Sequence, residues 1–326
     1  MAHLRNILVG VDPLQAEQLW TTNFTATAAG AVHLGIRVAA KEASKLTFLS
    51  IIDVPEAEKY LLEPERQSVV EHVQQSAKRV LSELVQLAGM QGVQAEWDMK
   101  HGTAWNQIID RVADCDHDLV IVARSCHDYA WRDLLGHTAV KLVHYCPCPV
   151  WVAKPEMDQA ELNILVASDL SEVGERALGI AVTLRSLLGG KIHLLHAVEN
   201  PFARILSSEL AQASVGRFFR NVHAAAQETL AAHIARIGEA QTVGEINVEV
   251  INGVCDSVVL EFIQAHKINL LVMGTAARSG LSRIVLGNTA ERLLPYVHCS
   301  LLIVKPQSFR WPLLSEHELQ REPGRL

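Results

Sequence analysis

The chain repeats itself, and this constrains its fold more than any other feature. Asn6-Ile-Leu-Val-Gly-Val-Asp12 returns as Asn163-Ile-Leu-Val-Ala-Ser-Asp169, 157 positions on. Farther along the separation settles at 151. Gly102 answers to Gly253, Ala123 to Gly274, Gly136 to Gly287, Thr138-Ala139 to Thr289-Ala290, Cys148 to Cys299 and Lys154-Pro155 to Lys305-Pro306. A constant separation held over about fifty residues means one folding unit used twice. The change from 157 to 151 places the length differences in the first halves, where 60–96 aligns loosely with 207–249. With 326 residues, each copy can bury its own core. The expected division is a first domain at 1–155, a short polar linker at 156–160, a second domain at 161–306 and a C-terminal tail at 307–326.

Within each copy, strand and helix patterns alternate. In the second, Ile164 to Ala167 is a continuous apolar run, as a strand buried on both faces requires. Ser171 to Leu188 reads as a helix with Asp169 or Ser171 as its N-cap and Gly189-Gly190 at its end. Then come a strand at Lys191–Val198, a helix at Gln212–Ile237, a strand at Val248–Ile251, a helix at Asp256–His266, a strand at Asn269–Met273, a helix at Asn288–Tyr296 and a strand at Ser300–Val304. Such βα alternation predicts an α/β fold, an open five-stranded parallel sheet with helices on both faces. An open sheet has edges. The last strands, Val150–Ala153 and Leu301–Val304, are too apolar to stay bare. Pairing of the two copies through these strands solves that. Cover by a helix or by the tail is the alternative.

Composition narrows the function classes. A net charge of −7 argues against a nucleic-acid partner, which needs Lys and Arg to displace counterions from phosphate. No run reaches the about 18 apolar residues that a membrane span needs, and the N-terminus lacks a secretory signal, so a cytoplasmic location is the expectation. Six cysteines do not make a disulfide framework. Cys146-Pro147-Cys148 would be half a zinc site, but no second pair matches it, and no metal is expected. His196, inside an apolar run, reads as a packed strand residue rather than a ligand.

The segment richest in chemistry runs from Met273-Gly274 through Ala277, Arg278, Gly280 and Arg283 to Gly287-Asn288-Thr289. It leaves a buried strand at its C-terminal end, where open α/β sheets bind ligands, and enters a helix whose free N–H groups suit a phosphate. Arg278 and Arg283 add positive charge. The segment is neither a P-loop nor a dinucleotide fingerprint, so efficient phosphoryl transfer is not expected and no catalytic residue is assigned. On spacing alone, Gly274 and Gly287 could equally just shape a loop and a helix start.

This segment resembles the nucleotide loop of the universal stress protein family, written G-x2-G-x9-G-(S/T). The repeat, the Asp after the first strand and the Cys-x6-Pro ending from Cys299 to Pro306 resemble that family too. The resemblance covers about 3–155 and 161–306, and the tandem layout with Gly-Asn-Thr-Ala-Glu looks most like its bacterial two-domain branch. It implies flavodoxin-like domains (Rossmann-like, adenine nucleotide alpha hydrolase-like) with strand order 3-2-1-4-5 that pair through the last strand. It also implies ATP or AMP as ligand, with or without Mg²⁺, in members that keep the loop. Gly274 matches the first motif glycine and Gly287 the third. Ala277 stands at the second, where its methyl disfavours a positive φ, and Asn288, followed by Thr289, stands where Ser or Thr is usual. Asp169 matches an acid on the ribose or adenine side, with a helix cap as the alternative. Ala167 and Ser168 line the same strand end, and Ala197 matches a position whose backbone faces the adenine.

The first copy departs further. Ala123, Cys126 and His127 replace Gly274, Ala277 and Arg278, and Tyr129 and Trp131 crowd the loop, although Asp12 and Gly136 are kept. The expectation is a regulatory stress-response protein that binds an adenine nucleotide in its second copy. The alternatives are a structural or interaction protein without nucleotide, an apolar ligand in the first copy near Trp105, Tyr129 and Trp131, and a slow ATPase. A homodimer of whole chains is compatible with all of them.

Overall fold

A computed structural model describes residues 3–12, 26–52, 63–124, 135–154, 161–199, 209–238, 246–275 and 287–309. In the first copy the order is β1 (Asn6–Val11), α1 (Ala26–Glu42), β2 (Lys45–Ile52), α2 (Glu63–Met90), β3 (Ala95–His101), α3 (Ala104–Cys115), β4 (Leu119–Ala123), α4 (His137–Tyr145) and β5 (Val150–Ala153). The second repeats it as β6 (Leu162–Ala167), α5 (Glu172–Leu188), β7 (Gly190–Val198), α6 (Glu209–Ile237), β8 (Ile246–Asn252), α7 (Cys255–Ala265), β9 (Leu270–Gly274), α8 (Asn288–Leu293) and β10 (Ser300–Val304).

The α/β alternation expected from the sequence is present. Within each copy the strands are parallel, in the orders β3-β2-β1-β4-β5 and β8-β7-β6-β9-β10. The helix expected to reach Tyr296 ends at Leu293. Pro295 has no N–H to donate back along the helix, which stops it early.

The same clasp opens both copies. Asn6 N–H donates to the Asp118 carboxylate at 3.0 Å, while its side-chain amide donates to the Cys115 carbonyl at 2.7 Å. In the second copy Asn163 N–H donates to the Asn269 side-chain carbonyl at 2.8 Å, and its amide donates to the His266 carbonyl. Each asparagine ties the start of a central strand to the turn before its neighbour, which explains why both repeats begin with one.

The two copies meet through their last strands. β5 and β10 are antiparallel, with Trp151 opposite Leu302, Leu301 opposite Val152 and Ile303 opposite Val150. One ten-stranded sheet results, and the two most apolar edges cover each other. All residues of β5 and β10 are buried, Trp151 completely. Polar bonds reinforce the seam. Lys305 Nζ donates to the His144 carbonyl at 2.9 Å, and the backbone N–H of Lys154 donates to Ser300 Oγ at 2.9 Å. Burial of Lys305 lowers its pKa to about 8. Among the described residues no helix is long and apolar enough to cross a membrane.

Candidate functional site

From β6 the chain steps to β7 and β8 on one side, then crosses back to β9 on the other. The strand order therefore reverses between β6 and β9, and such a reversal opens a crevice beyond the carboxyl ends of both strands. Ala167 is level with Met273 across that pair. Ala167-Ser168-Asp169 and Met273-Gly274-Thr275 thus emerge side by side. Ala197 lies on the other flank of β6, two residues beyond Leu195, the partner of Ala167. The connection from β9 to β10 runs α8 back across the sheet, which puts Gly287, Asn288 and Thr289 at the same edge. Of the candidate residues, Ala167, Ser168, Asp169, Ala197, Met273, Gly274, Gly287, Asn288 and Thr289 share this edge. Ala277 and Arg278 lie outside the described residues, as does Arg283.

The turn after β6 is tightly organised. The Ser168 N–H donates to the Leu195 carbonyl at 2.9 Å, and Ser168 Oγ accepts from the Leu170 N–H at 3.2 Å. The Ser168 carbonyl accepts from His196 Nδ1 at 2.8 Å. That assigns the proton to Nδ1 and makes buried His196 a brace for the site. Leu170 has φ of 65°, in the left-handed region that side chains avoid. Among the described residues, the other non-glycine positions of this kind, Ala43, Asp116 and Lys267, follow helices, whereas Leu170 precedes one.

Asp169 sits half-buried at the crest of this turn. Its Oδ1 accepts from the Ser171 N–H at 3.0 Å and from the Ser171 hydroxyl, and Ser171 Oγ in turn caps α5 by accepting from the Gly174 N–H at 3.2 Å. Ser171 is therefore the N-cap, and Asp169 orients it. Asp169 Oδ2 makes no hydrogen bond to another described residue.

Two glycines let the helix press on the strand ends. A Cβ on Gly174 would stand 3.0 Å from Ser168 Oγ and 3.1 Å from Asp169 Oδ1. A Cβ on Gly274 would stand 2.8 Å from Val173 Cγ1 and 3.2 Å from the Val173 carbonyl carbon. Gly274 is thus required by the approach of α5. Gly287 differs, because its φ of −58° and ψ of 140° are open to any residue. Asn288 is exposed at the start of α8 and makes no side-chain cap.

Acidic and basic groups brace the rim. Glu199, just after β7, accepts from the Cys255 N–H at the start of α7 at 3.2 Å. Arg292 of α8 grips Asp256 of α7 through two bonds of 2.7 and 2.8 Å, which holds the Asp256 carboxyl below its usual range. Burial beside Asp256 and Glu199 pushes the Cys255 thiol up to about 11, so it is not a nucleophile at neutral pH.

Sequence patterns did not reveal Val173, Gly174, the brace from His196 or the tie from Glu199. A capping signal was legible in Ser171, three residues before Gly174. The others depend on which residues meet across the sheet.

The first copy lacks most of this arrangement. Val11 stands where Ser168 stands and cannot accept a bond at its side chain, and Ala123 replaces Gly274. Arg124 takes the place of Thr275, but its buried guanidinium turns across the seam to the carbonyls of Val297 and Cys299. Trp105 is buried against Tyr145, with ring centroids 5.8 Å apart, as a packing residue would be. Tyr129, Trp131, Cys126 and His127 lie outside the described residues. Cys146 and Cys148 are buried free thiols with sulfurs 3.6 Å apart. No cluster of three or more metal-ligating side chains occurs among the described residues.

Comparisons with known proteins agree with this architecture. The profile described as Universal stress protein family matches residues 3–154 and again 162–305. Universal stress protein E of Escherichia coli K12 is 26% identical over 339 residues, which takes in 98% of this chain and 99% of that one. Among solved structures, a functionally unknown protein of Pseudomonas aeruginosa PAO1 superposes with a TM-score of 0.64 at 19% identity, covering 94% of each chain. A universal stress protein of Archaeoglobus fulgidus gives 0.60 at 17% identity, over 93% of this chain and 99% of its own. At these identities the structures speak for the fold.

Proposed function

Since this chain belongs to the universal stress protein family, as a tandem of two family domains resembling universal stress protein E, we propose that its second copy binds an adenine nucleotide, ATP or AMP, and that binding regulates rather than turns over the ligand. The observation that carries this reading is convergence at the strand reversal. Residues chosen from the loop motif and from the acid after the first strand meet at one edge between β6 and β9. Asp169 Oδ2, which makes no hydrogen bond to a described residue, suits a ribose hydroxyl. Asn288, exposed at the entry to α8, suits a phosphate oxygen through its amide. Mg²⁺ would be held by the phosphates more than by the protein.

The regulatory part rests on what is missing. The sequence carries no Walker lysine. His196 donates into the backbone and the Cys255 thiol is held protonated, and the proposed role leaves the second oxygen of Asp169 to the ribose rather than to a water. The domain limits at 1–155 and 161–306, and the assignment of the first copy to a structural role, belong to the same proposal.

One observation favours a competing reading, a structural module without nucleotide. Gly274 is fully explained by Val173 and needs no ligand to account for it. Thermal melting of the whole chain against ATP, AMP and GTP, with and without Mg²⁺, separates the two. A binder stabilises by RT ln(1 + [L]/Kd), about 2.7 kcal/mol at a hundredfold excess. An ATP- or AMP-selective rise that disappears in Gly287→Val supports the site. No rise at millimolar nucleotide rejects it and leaves the structural reading.

A further inference from the structure

Joining β5 to β10 removes two sheet edges and leaves two, β3 and β8. Among the described residues neither has a strand on its outer side. We propose that β8 is the surface through which two copies of this chain associate, antiparallel and edge to edge, with Val248 on the twofold axis. This proposal is independent of nucleotide binding.

The two edges present the same shape with different chemistry. Trp97 on β3 and Val248 on β8 occupy equivalent positions, and both are exposed apolar residues, at 37% and 38%. What flanks them decides which edge can pair with itself. In an antiparallel pair centred on one residue, its two sequence neighbours stand opposite each other. Centring β3 on Trp97 would set Glu96 against Asp98 of the second copy, two acids directly opposed, a destabilising pair. Both acids are already engaged within the chain. Glu96 pairs with Lys45 at 2.9 Å and with Arg111 at 3.2 Å, and Asp98 with Arg111 at 3.4 Å. Charged side chains of this kind blunt an edge.

Centring β8 on Val248 gives the opposite outcome. Asn247 meets Glu249 of the second copy on both sides of the axis, an amide donor against a carboxylate acceptor. Ile246 meets Val250, and Val248 meets itself. Phe262 occupies the position in α7 that Arg111 holds in α3, so the guanidinium that engages both acids of β3 has no counterpart there, while Lys191 stands at the position of Lys45. A register centred on Glu249 would oppose that acid to its own copy, and one centred on Val250 would set it against Ile251, whereas the centre at Val248 gives it the Asn247 amide on both sides of the axis. β8 is also rich in Val and Ile, which suit a pleated surface, and has neither Pro nor Lys to guard it. Because β8 alone of the two described free edges is self-complementary, association closes at two chains instead of growing into a filament.

The test uses the whole chain, by sedimentation velocity and light scattering over a concentration series. A particle of twice the chain mass is expected. Val248→Lys puts two ammonium groups on the axis and should give a single chain even at tenfold higher concentration. Trp97→Lys, at the equivalent exposed position of β3, should leave the dimer intact. Both variants should keep the parent's circular dichroism spectrum, and Val248→Lys, a single chain, should melt below the parent because the partner no longer stabilises it by mass action. As a measurement that does not need a disruptive change, Val248→Cys should form a covalent dimer on diamide oxidation, while Trp97→Cys does not. A parent that stays a single chain, a dimer that survives Val248→Lys, one that dissociates in Trp97→Lys, or no crosslink through Val248→Cys would overturn the proposal.

Discussion

The guanidinium of Arg124 lies 2.7 Å from the carbonyl of Val297, across the seam between the two copies. A second nitrogen reaches the Cys299 carbonyl at 3.2 Å. These carbonyls follow the short helix α8, where backbone acceptors run out of helical donors. Arg124 is buried, so removing it strands them away from water. Arg124→Ala is expected to lower stability by about 2–3 kcal/mol. Urea unfolding followed by circular dichroism measures it, and a loss below about 0.5 kcal/mol would show that Arg124 adds little to the seam.

His117 predicts a pH dependence. Its ring is buried, neither nitrogen has a hydrogen bond of good geometry, and desolvation with Arg111 nearby lowers its pKa to about 4. The folded pKa lies below the ordinary histidine value of 6.5, so the unfolded chain takes up a proton first as pH falls. The contribution is intact above pH 6.5 and is lost progressively down to about 4. The second copy has buried Ile268 at this position. His117→Ile should therefore flatten the acid limb of the stability curve by on the order of 1 kcal/mol, after allowance for screening. An unchanged limb between pH 6.5 and 4 would show that His117 already ionises freely in the fold.

Gly274 allows packing to be separated from binding. Gly274→Ala should cost about 1–3 kcal/mol, because its methyl would meet Val173. Adding Val173→Ala should return part of that cost, a coupling that denaturant unfolding of the single and double variants reads directly. If strictly additive losses result, the approach of α5 is not what requires a glycine there.

Asp169 has a similar test. Asp169→Asn keeps an oxygen for Ser171 and should change stability by less than about 0.5 kcal/mol, whereas Asp169→Ala loses the support of the cap and about 1 kcal/mol. Under the proposed function, both variants weaken ATP or AMP binding about tenfold, the loss of one charge-assisted hydrogen bond. Calorimetric titration decides. Full affinity in Asp169→Asn would confine the residue to its capping role.

The repeat, the βα alternation, the strand order carried by the family resemblance and the pairing of the last strands were legible in the sequence, because hydrophobic periodicity and self-similarity are local signals summed over long windows. The extent of α8 was misread by a few residues, since Pro295 outweighs the apolar pattern around it. The site was legible as a set of positions and not as an arrangement. Nothing near Gly274 in the chain announces Val173, about a hundred residues earlier, and nothing near Ser168 announces His196. Arg124 reads as a loop residue until the second copy folds against it, with its acceptors 173 and 175 positions away. The sequence by itself determined which elements form and that they form twice. Only the tertiary structure decided which side chains meet, because close packing and buried hydrogen bonds depend on the partners that distant segments bring together, and no local pattern encodes them.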